Sequence, residues 1–174
     1  MGQTSTDTLR SWVTQDWQVN SDRFDSQLVL AWFRLCQWGL SHWGPVGTLM
    51  TFAYNTFTST ILQLELSPRV SVGPNVWIPH AHNLTVHPRA KIGANCLIRH
   101  GVTIGNTTNL DRIETGCPVL GDSVEVGAGA VVAGDIHIGD NVRIGANAVV
   151  TSDVPAGALA FGNPARIMQT APAA

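Results

Sequence analysis

Charge is scarce in this sequence of 174 residues: Asp, Glu, Lys and Arg make up 13% of it, and 10 Lys and Arg against 12 Asp and Glu leave a net charge of −2. The few cations are scattered along the chain, which excludes a basic face for sequence-independent binding of a nucleic-acid backbone. Cysteine is scarcer. Cys36, Cys96 and Cys117 are isolated, odd in number and without a CxxC pair, so neither a disulfide framework nor a zinc knuckle is expected, and a reducing cytoplasm suits them. The start, Met1-Gly2-Gln3-Thr4-Ser5-Thr6-Asp7, lacks the basic region and apolar core of a secretory signal, although Met-Gly with Thr6 is a short match to a myristoylation pattern. A long uninterrupted apolar run is missing too. Residues 35–64 carry no formal charge, yet Pro45 divides them, and Thr48, Thr51, Asn55, Thr58 and Gln63 make the second half too polar for a membrane span.

What is present differs between the two ends. Residues 1–64 hold five of the six Trp and read as a short helical region. Asp7 or Thr8 caps a first helix bearing Leu9, Trp12, Val13 and Trp17; a second spans 28–40; a third runs over 46–62, after Pro45 breaks the chain. These helices are expected to pack on the rest of the chain or on a neighbouring subunit, or to touch the inner face of a membrane peripherally through their Trp-rich surfaces.

From Val72 to Val150 an aliphatic residue recurs at every sixth position, usually followed by Gly. The clearest run is Leu120-Gly121, Val126-Gly127, Val132-Ala133, Ile138-Gly139, Ile144-Gly145 and Val150, preceded by Val86, Ile92-Gly93, Ile98 and Ile104-Gly105. Neither a helix nor a half-buried strand keeps that period. A hexapeptide solenoid does. Three hexapeptides make one coil, the aliphatic side chains stack inward about 4.8 Å apart, and small residues after them let the chain turn its corners. The chain thus reads as a helical region (1–64), a solenoid (65–168) and a short tail (169–174).

Two breaks in the rhythm mark the candidate site. The phase slips by two residues between Leu84 and Val86, just after Ile78-Pro79-His80-Ala81-His82-Asn83; and Ile104 and Leu120 lie sixteen apart, so that a loop, 106–118, adds ten residues to one hexapeptide. Loops leaving a regular scaffold are natural carriers of specificity. Counting eighteen residues per coil plus the slip puts His100 above His80, and the loop then puts Asp122 above His100, each lying two residues after an inward aliphatic, at Ile78, Ile98 and Leu120. The three are expected to form one outward column of titratable groups.

The hexapeptide run, the segment Ile98-Arg99-His100-Gly101-Val102-Thr103-Ile104-Gly105-Asn106, and the ending Val154-Pro155-Ala156-Gly157 through Gly162-Asn163-Pro164-Ala165-Arg166-Ile167 resemble the serine acetyltransferase family of left-handed β-helix acyltransferases. Within it they resemble most the colanic acid biosynthesis type, which acetylates exopolysaccharide sugars. The resemblance implies a mainly β fold, a left-handed parallel β-helix behind the helical region. It also implies a homotrimer with active sites between neighbouring prisms, acetyl-CoA as co-substrate in a groove between coils, no metal, and transfer to the hydroxyl of a sugar or another acceptor. Carried over, the general base is His80 and the supporting carboxylate is Glu65 in Glu65-Leu66-Ser67-Pro68, where the family usually has Asp. Gly105, Ala128 and Ala146 would meet the pantetheine, and Arg166 the phosphates. His100, Asp122, Arg112 and Cys117 are assigned to the acceptor.

One departure bears on the acceptor. Serine-specific members carry Asp-Arg-His-Pro in the extended loop; here Asp111-Arg112 is followed by Ile113, and Pro118 is preceded by Cys117. The histidine is missing in either alignment, which weighs against serine while leaving it as the alternative within the family. Three other readings stand beside these: Cys117 as a nucleophile that takes the acetyl group; a zinc hydration enzyme of γ-carbonic anhydrase type using His82 and His87; and a non-catalytic scaffold docking a partner through the N-terminal helices.

Overall fold

Each hexapeptide turns two side chains inward rather than one. Val76 with Ile78, Cys96 with Ile98, Val124 with Val126 and Val142 with Ile144 stack at the core of the computed structural model, none of them more than 3% exposed. The inner member of each pair is the recurring aliphatic; its partner two residues earlier can be as small as Ala or Cys, which hid it from the sequence pattern. Full burial of each large aliphatic contributes about 1.5–3 kcal/mol.

The structure describes residues 8–107 and 116–169. Three parallel sheets form the faces of a left-handed parallel β-helix. The first face holds Leu64–Leu66, Leu84–Val86, Thr103–Gly105, Val131–Ala133 and Val149–Val150; the second Ser71–Val72, Lys91–Ile92, Val119–Leu120 and His137–Ile138; the third Leu97–Ile98, Glu125–Val126, Arg143–Ile144 and Ala158–Phe161. An antiparallel strand, Arg166–Gln169, closes the third face. Leu66 pairs with Val86, Val86 with Ile104, Ile104 with Val132 and Val132 with Val150, so successive coils take 20, 18, 28 and 18 residues.

The glycine after each aliphatic is not what turns the corner. At Gly127 an added Cβ would lie 2.5 Å from the amide nitrogen of Ala146, so the residue is fixed by close stacking of coils. The left-handed conformation falls elsewhere: on Asn75 (φ 60°), Asn95 (57°), Ser123 (58°) and Asn141 (57°) at one corner, and on Asn83, Gly101, Gly129 and Asn147 at the next. Asn tolerates positive φ because its short polar side chain can bond locally, and here the Asn75 amide donates to Asn95 Oδ1 at 3.1 Å.

The helical region closes the open end of the solenoid. Helix α1 (Leu9–Thr14) is capped by Thr8, whose side chain accepts from the Ser11 amide; α2 (Phe24–His42) extends beyond the apolar pattern at both ends; α3 (Pro45–Phe57) starts on its proline and continues as one π-helical stretch, Thr58–Leu62. Trp32 meets Tyr54 edge-on at 5.4 Å between α2 and α3. Below them the first coil has no coil on its outer side, and an unpaired strand edge is both a polar cost and an aggregation hazard. Four side chains cover it. Arg34 donates to the carbonyls of Val72 (2.8 Å) and Gly73 (2.6 Å), Gln37 to that of Val70 and Asn20 to that of Val76, while Asp16 accepts from the Val76 amide and Asn20 from the Ile78 amide. Arg34 and Asp16 pair at 2.6 Å with side chains 1% and 2% exposed. Among the described residues no helix is long and apolar enough to cross a membrane.

Candidate functional site

Because Trp77 pairs with Leu97, Leu97 with Glu125 and Glu125 with Arg143, the residues three further on stack along one corner edge: His80, His100, Ala128 and Ala146. Backbone bonds tie this edge together, the Gly129 amide donating to the His100 carbonyl (3.0 Å) and the Asn147 amide to that of Ala128 (2.9 Å). The two extra residues fall here, before Leu84 rather than between Leu84 and Val86, because Leu84 and Val86 pair in register with Leu64 and Leu66. The extra residues let His82 N–H fold back onto the His80 carbonyl at 2.8 Å, and three imidazoles gather: His80 and His100 lie 5.4 Å apart edge to face, and His82 stacks on His100 at 5.8 Å with 19° between the rings.

His80 is the half-buried member of the three. Partial desolvation of its ring holds its pKa below the ordinary imidazole value, and the Arg23 guanidinium, His100 and His82 push it the same way, against an opposing pull from Asp25. Arg23 and Asp25, paired at 3.3 Å at the start of α2, were not expected near the site. No periodicity links that turn to the solenoid, so the sequence held no signal for it.

Asp122 does not join this column. Leu120 pairs with Ile92, not with Ile98, because the coil containing the inserted loop is 28 residues long and a ladder drawn upward from His100 must step over all ten added residues. It arrives at Ala128. Asp122 instead sits one corner away, where its Oδ1 accepts from the Ala94 amide at 2.7 Å and its own amide donates to Asp140 Oδ1 at 2.8 Å.

Glu65 and Gly105 lie apart from His80, in a groove of about 520 Å³ between the first face and α3, lined also by Phe52, Asn55, Thr85 and Thr103. Among the described residues the charges acting on His80 are those of Arg23, His100, His82 and Asp25, and Glu65 is not one of them. His87 lines the groove as well, and its Nδ1 lies 3.1 Å from Cys117 Sγ. His82 and His87, weighed above as zinc ligands, therefore belong to different clusters; among the described residues no group of three or more His, Cys, Asp or Glu side chains is arranged to hold a metal. Arg166 is exposed on the closing strand, beside a cavity lined by residues 161–166. Arg112 falls outside the described residues.

A family model for the bacterial transferase hexapeptide (six repeats) matches residues 117–152. The Escherichia coli (strain K12) protein named as colanic acid biosynthesis acetyltransferase WcaB is 36% identical over 114 residues, which cover 66% of this chain and 68% of that protein. The serine acetyltransferase of Mycobacterium tuberculosis is 36% identical over 135 residues, covering 75% of this chain and 58% of its own length. Among solved structures, soybean serine acetyltransferase apoenzyme superposes with a TM-score of 0.78 at 29% identity, covering 92% of this chain and 69% of that one. The chain thus spans less than two thirds of the first serine acetyltransferases with which it aligns.

Proposed function

Since this chain belongs to the serine acetyltransferase family of hexapeptide-repeat acyltransferases, we propose that it transfers the acetyl group of acetyl-CoA to a sugar hydroxyl, with His80 as general base. The observation that carries this reading is the His80 corner: a half-buried imidazole whose surroundings disfavour its protonated form, at the foot of the small-residue edge formed by Ala128 and Ala146. An alcohol is a poor nucleophile at neutral pH, so the base must take the hydroxyl proton as the oxygen attacks the thioester carbonyl. Such help is worth about 10²- to 10⁴-fold. The imidazolium then returns the proton to the departing CoA thiolate. A backbone amide along the Gly105 or Ala128 stretch would meet the developing oxyanion, and Arg166 would approach the CoA phosphates.

The choice of a sugar rests on two features. The loop lacks the histidine of serine-specific relatives, and the groove beside Glu65 is walled by Asn55, Ser59, Thr85, Thr103 and Asn106 around Phe52, which is 68% exposed. Uncharged hydroxyl and amide groups with one aromatic ring suit a neutral polyhydroxylated acceptor. Serine is the second reading, favoured by the name of the mycobacterial relative. In this proposal the working unit is a homotrimer, and the apolar strip of Val46, Leu49 and Ile61, each more than half exposed, lies against other copies of the chain rather than against lipid. The test is thiol release from acetyl-CoA with a panel of sugar acceptors and with serine. Turnover with a sugar, abolished by His80→Ala in a protein of unchanged assembly size, is the expected result. Turnover with serine alone would reverse the choice of acceptor, and full activity of His80→Ala would remove the base.

A further inference from the structure

We propose that Cys117 and His87 form an acyl-accepting thiol–imidazole pair beside the groove, able to hold an acetyl group as a thioester independently of His80. The three thiols of the chain differ sharply in surroundings. Cys36 is buried in the core, and desolvation pushes its pKa up to about 11. Cys96 is also fully buried; desolvation raises it as well, and its thiol turns to the carbonyl of Gly121 at 3.3 Å. Cys117 alone of the three has a base beside it, with Sγ 3.1 Å from His87 Nδ1.

The direction of that hydrogen bond follows from a second one. The Arg89 backbone N–H donates to the same Nδ1 at 3.2 Å, so this nitrogen carries the lone pair and the neutral ring holds its proton on Nε2. The thiol must then be the donor. Transfer of its proton to Nδ1 takes up that lone pair, releases the Arg89 N–H, and gives a thiolate facing an imidazolium, the arrangement that activates nucleophilic cysteines.

The pair stands beside Gly105, the residue read above as meeting the pantetheine. His87 lines the groove together with Gly105 and Asn106, and a Cβ added at Gly105 would stand 3.7 Å from the His87 Cβ. The inference rests on the reading that acetyl-CoA is the donor. Cys117 thiolate attacks the acetyl carbonyl carbon, the bond from that carbon to the CoA sulfur breaks, and the leaving CoA thiolate takes the proton from His87 Nδ1. One thioester is exchanged for another, so no oxidant or further reactant is needed. Cys117 is only 7% exposed, which shields the product from water.

The full chain is incubated with acetyl-CoA and no acceptor, and its intact mass and peptide map are followed while acetyl-CoA binding is measured by calorimetry. The expected result is one acetyl group on Cys117, removed by neutral hydroxylamine, retained in His80→Ala and absent in Cys117→Ser. Labelling in His87→Gln should slow by about 10²-fold, the share of a lost general base. If acetyl-CoA binds and Cys117 gains no acetyl group, or if His87→Gln labels at the parental rate, the inference is overturned while the proposed function stands. If acetyl-CoA does not bind, both fall.

Discussion

Replacing Arg34 by Met tests whether the helical region is a structural closure of the solenoid. The guanidinium makes five hydrogen bonds, two to Asp16 and one each to Gln37 and the carbonyls of Val72 and Gly73. Arg34→Met removes them all and leaves the Asp16 carboxylate, with a side chain 2% exposed, holding among the described residues only the Val76 amide. Removing one partner of a buried ion pair costs about 3–5 kcal/mol. At about 2–4 °C per kcal/mol for a chain of this size, the midpoint of thermal unfolding should fall by about 6–20 °C. Circular dichroism at one fixed protein concentration is the assay, because any subunit association makes the midpoint depend on concentration. The double variant Arg34→Met/Asp16→Leu sharpens the test. An ordinary buried pair can be exchanged for apolar residues without loss, but this one also satisfies strand-edge groups, and each orphaned buried group costs about 1–3 kcal/mol. The double variant should therefore recover only part of the loss. A double variant as stable as the parent, or a single variant that melts within about 2 °C of it, would refute the closure.

The acid limb of the kcat/KM profile, which reports the free enzyme's base, should lie below the ordinary imidazole value of about 6.5, since desolvation, Arg23, His100 and His82 all disfavour protonated His80. In His82→Thr/His100→Gln the limb should move up, because two neighbours that can carry positive charge are gone; a fixed or lowered limb would contradict the assignment. Asn95 sits at φ 57°, so Asn95→Val should lose about 1–3 kcal/mol through backbone strain and Asn95→Gly far less, read from urea unfolding midpoints. His80 and the groove flank opposite edges of the first face, as expected if a working site joins two copies. Mixing inactive His80→Ala with inactive Gly105→Trp, which fills the groove, should then restore about a quarter of parental activity in randomly mixed trimers. No recovery after subunit exchange would put the whole site within one chain.

The rhythm made the prism legible because solenoid packing allows little else at the recurring positions. Leu120, Val126, Val132, Ile138, Ile144 and Val150 are all at most 3% exposed. What the period could not display is the second inward residue of each hexapeptide, since Ala90, Cys96 and Ala130 are small and differ chemically from one rung to the next. The closure by Arg34, Asp16, Asn20 and Gln37 was hidden for another reason. Their partners are mostly backbone carbonyls and amides of the first coil, and a backbone group leaves no mark in sequence.

At the site, legibility turned on which face a count crosses. The two-residue slip lies within the first coil, so adding it to eighteen brought His100 correctly onto His80. The loop lies between the first and second faces, so a full coil through it is 28 residues from any face, and the shorter count that set Asp122 on His100 failed. Used with the right length, the same arithmetic stacks Cys117 on Arg89, as the Lys91 pairing with Val119 requires, and so brings it within two residues of His87. The Cys117–His87 contact was therefore readable in principle. The irregularities also fall on the two edges of one face: the slip before Leu84–Val86 carries the imidazoles, and the corner after it carries the thiol pair and the root of the loop. A solenoid tolerates insertions at corners because the strands on either side keep their register, and those corners are where this chain departs from bare scaffold.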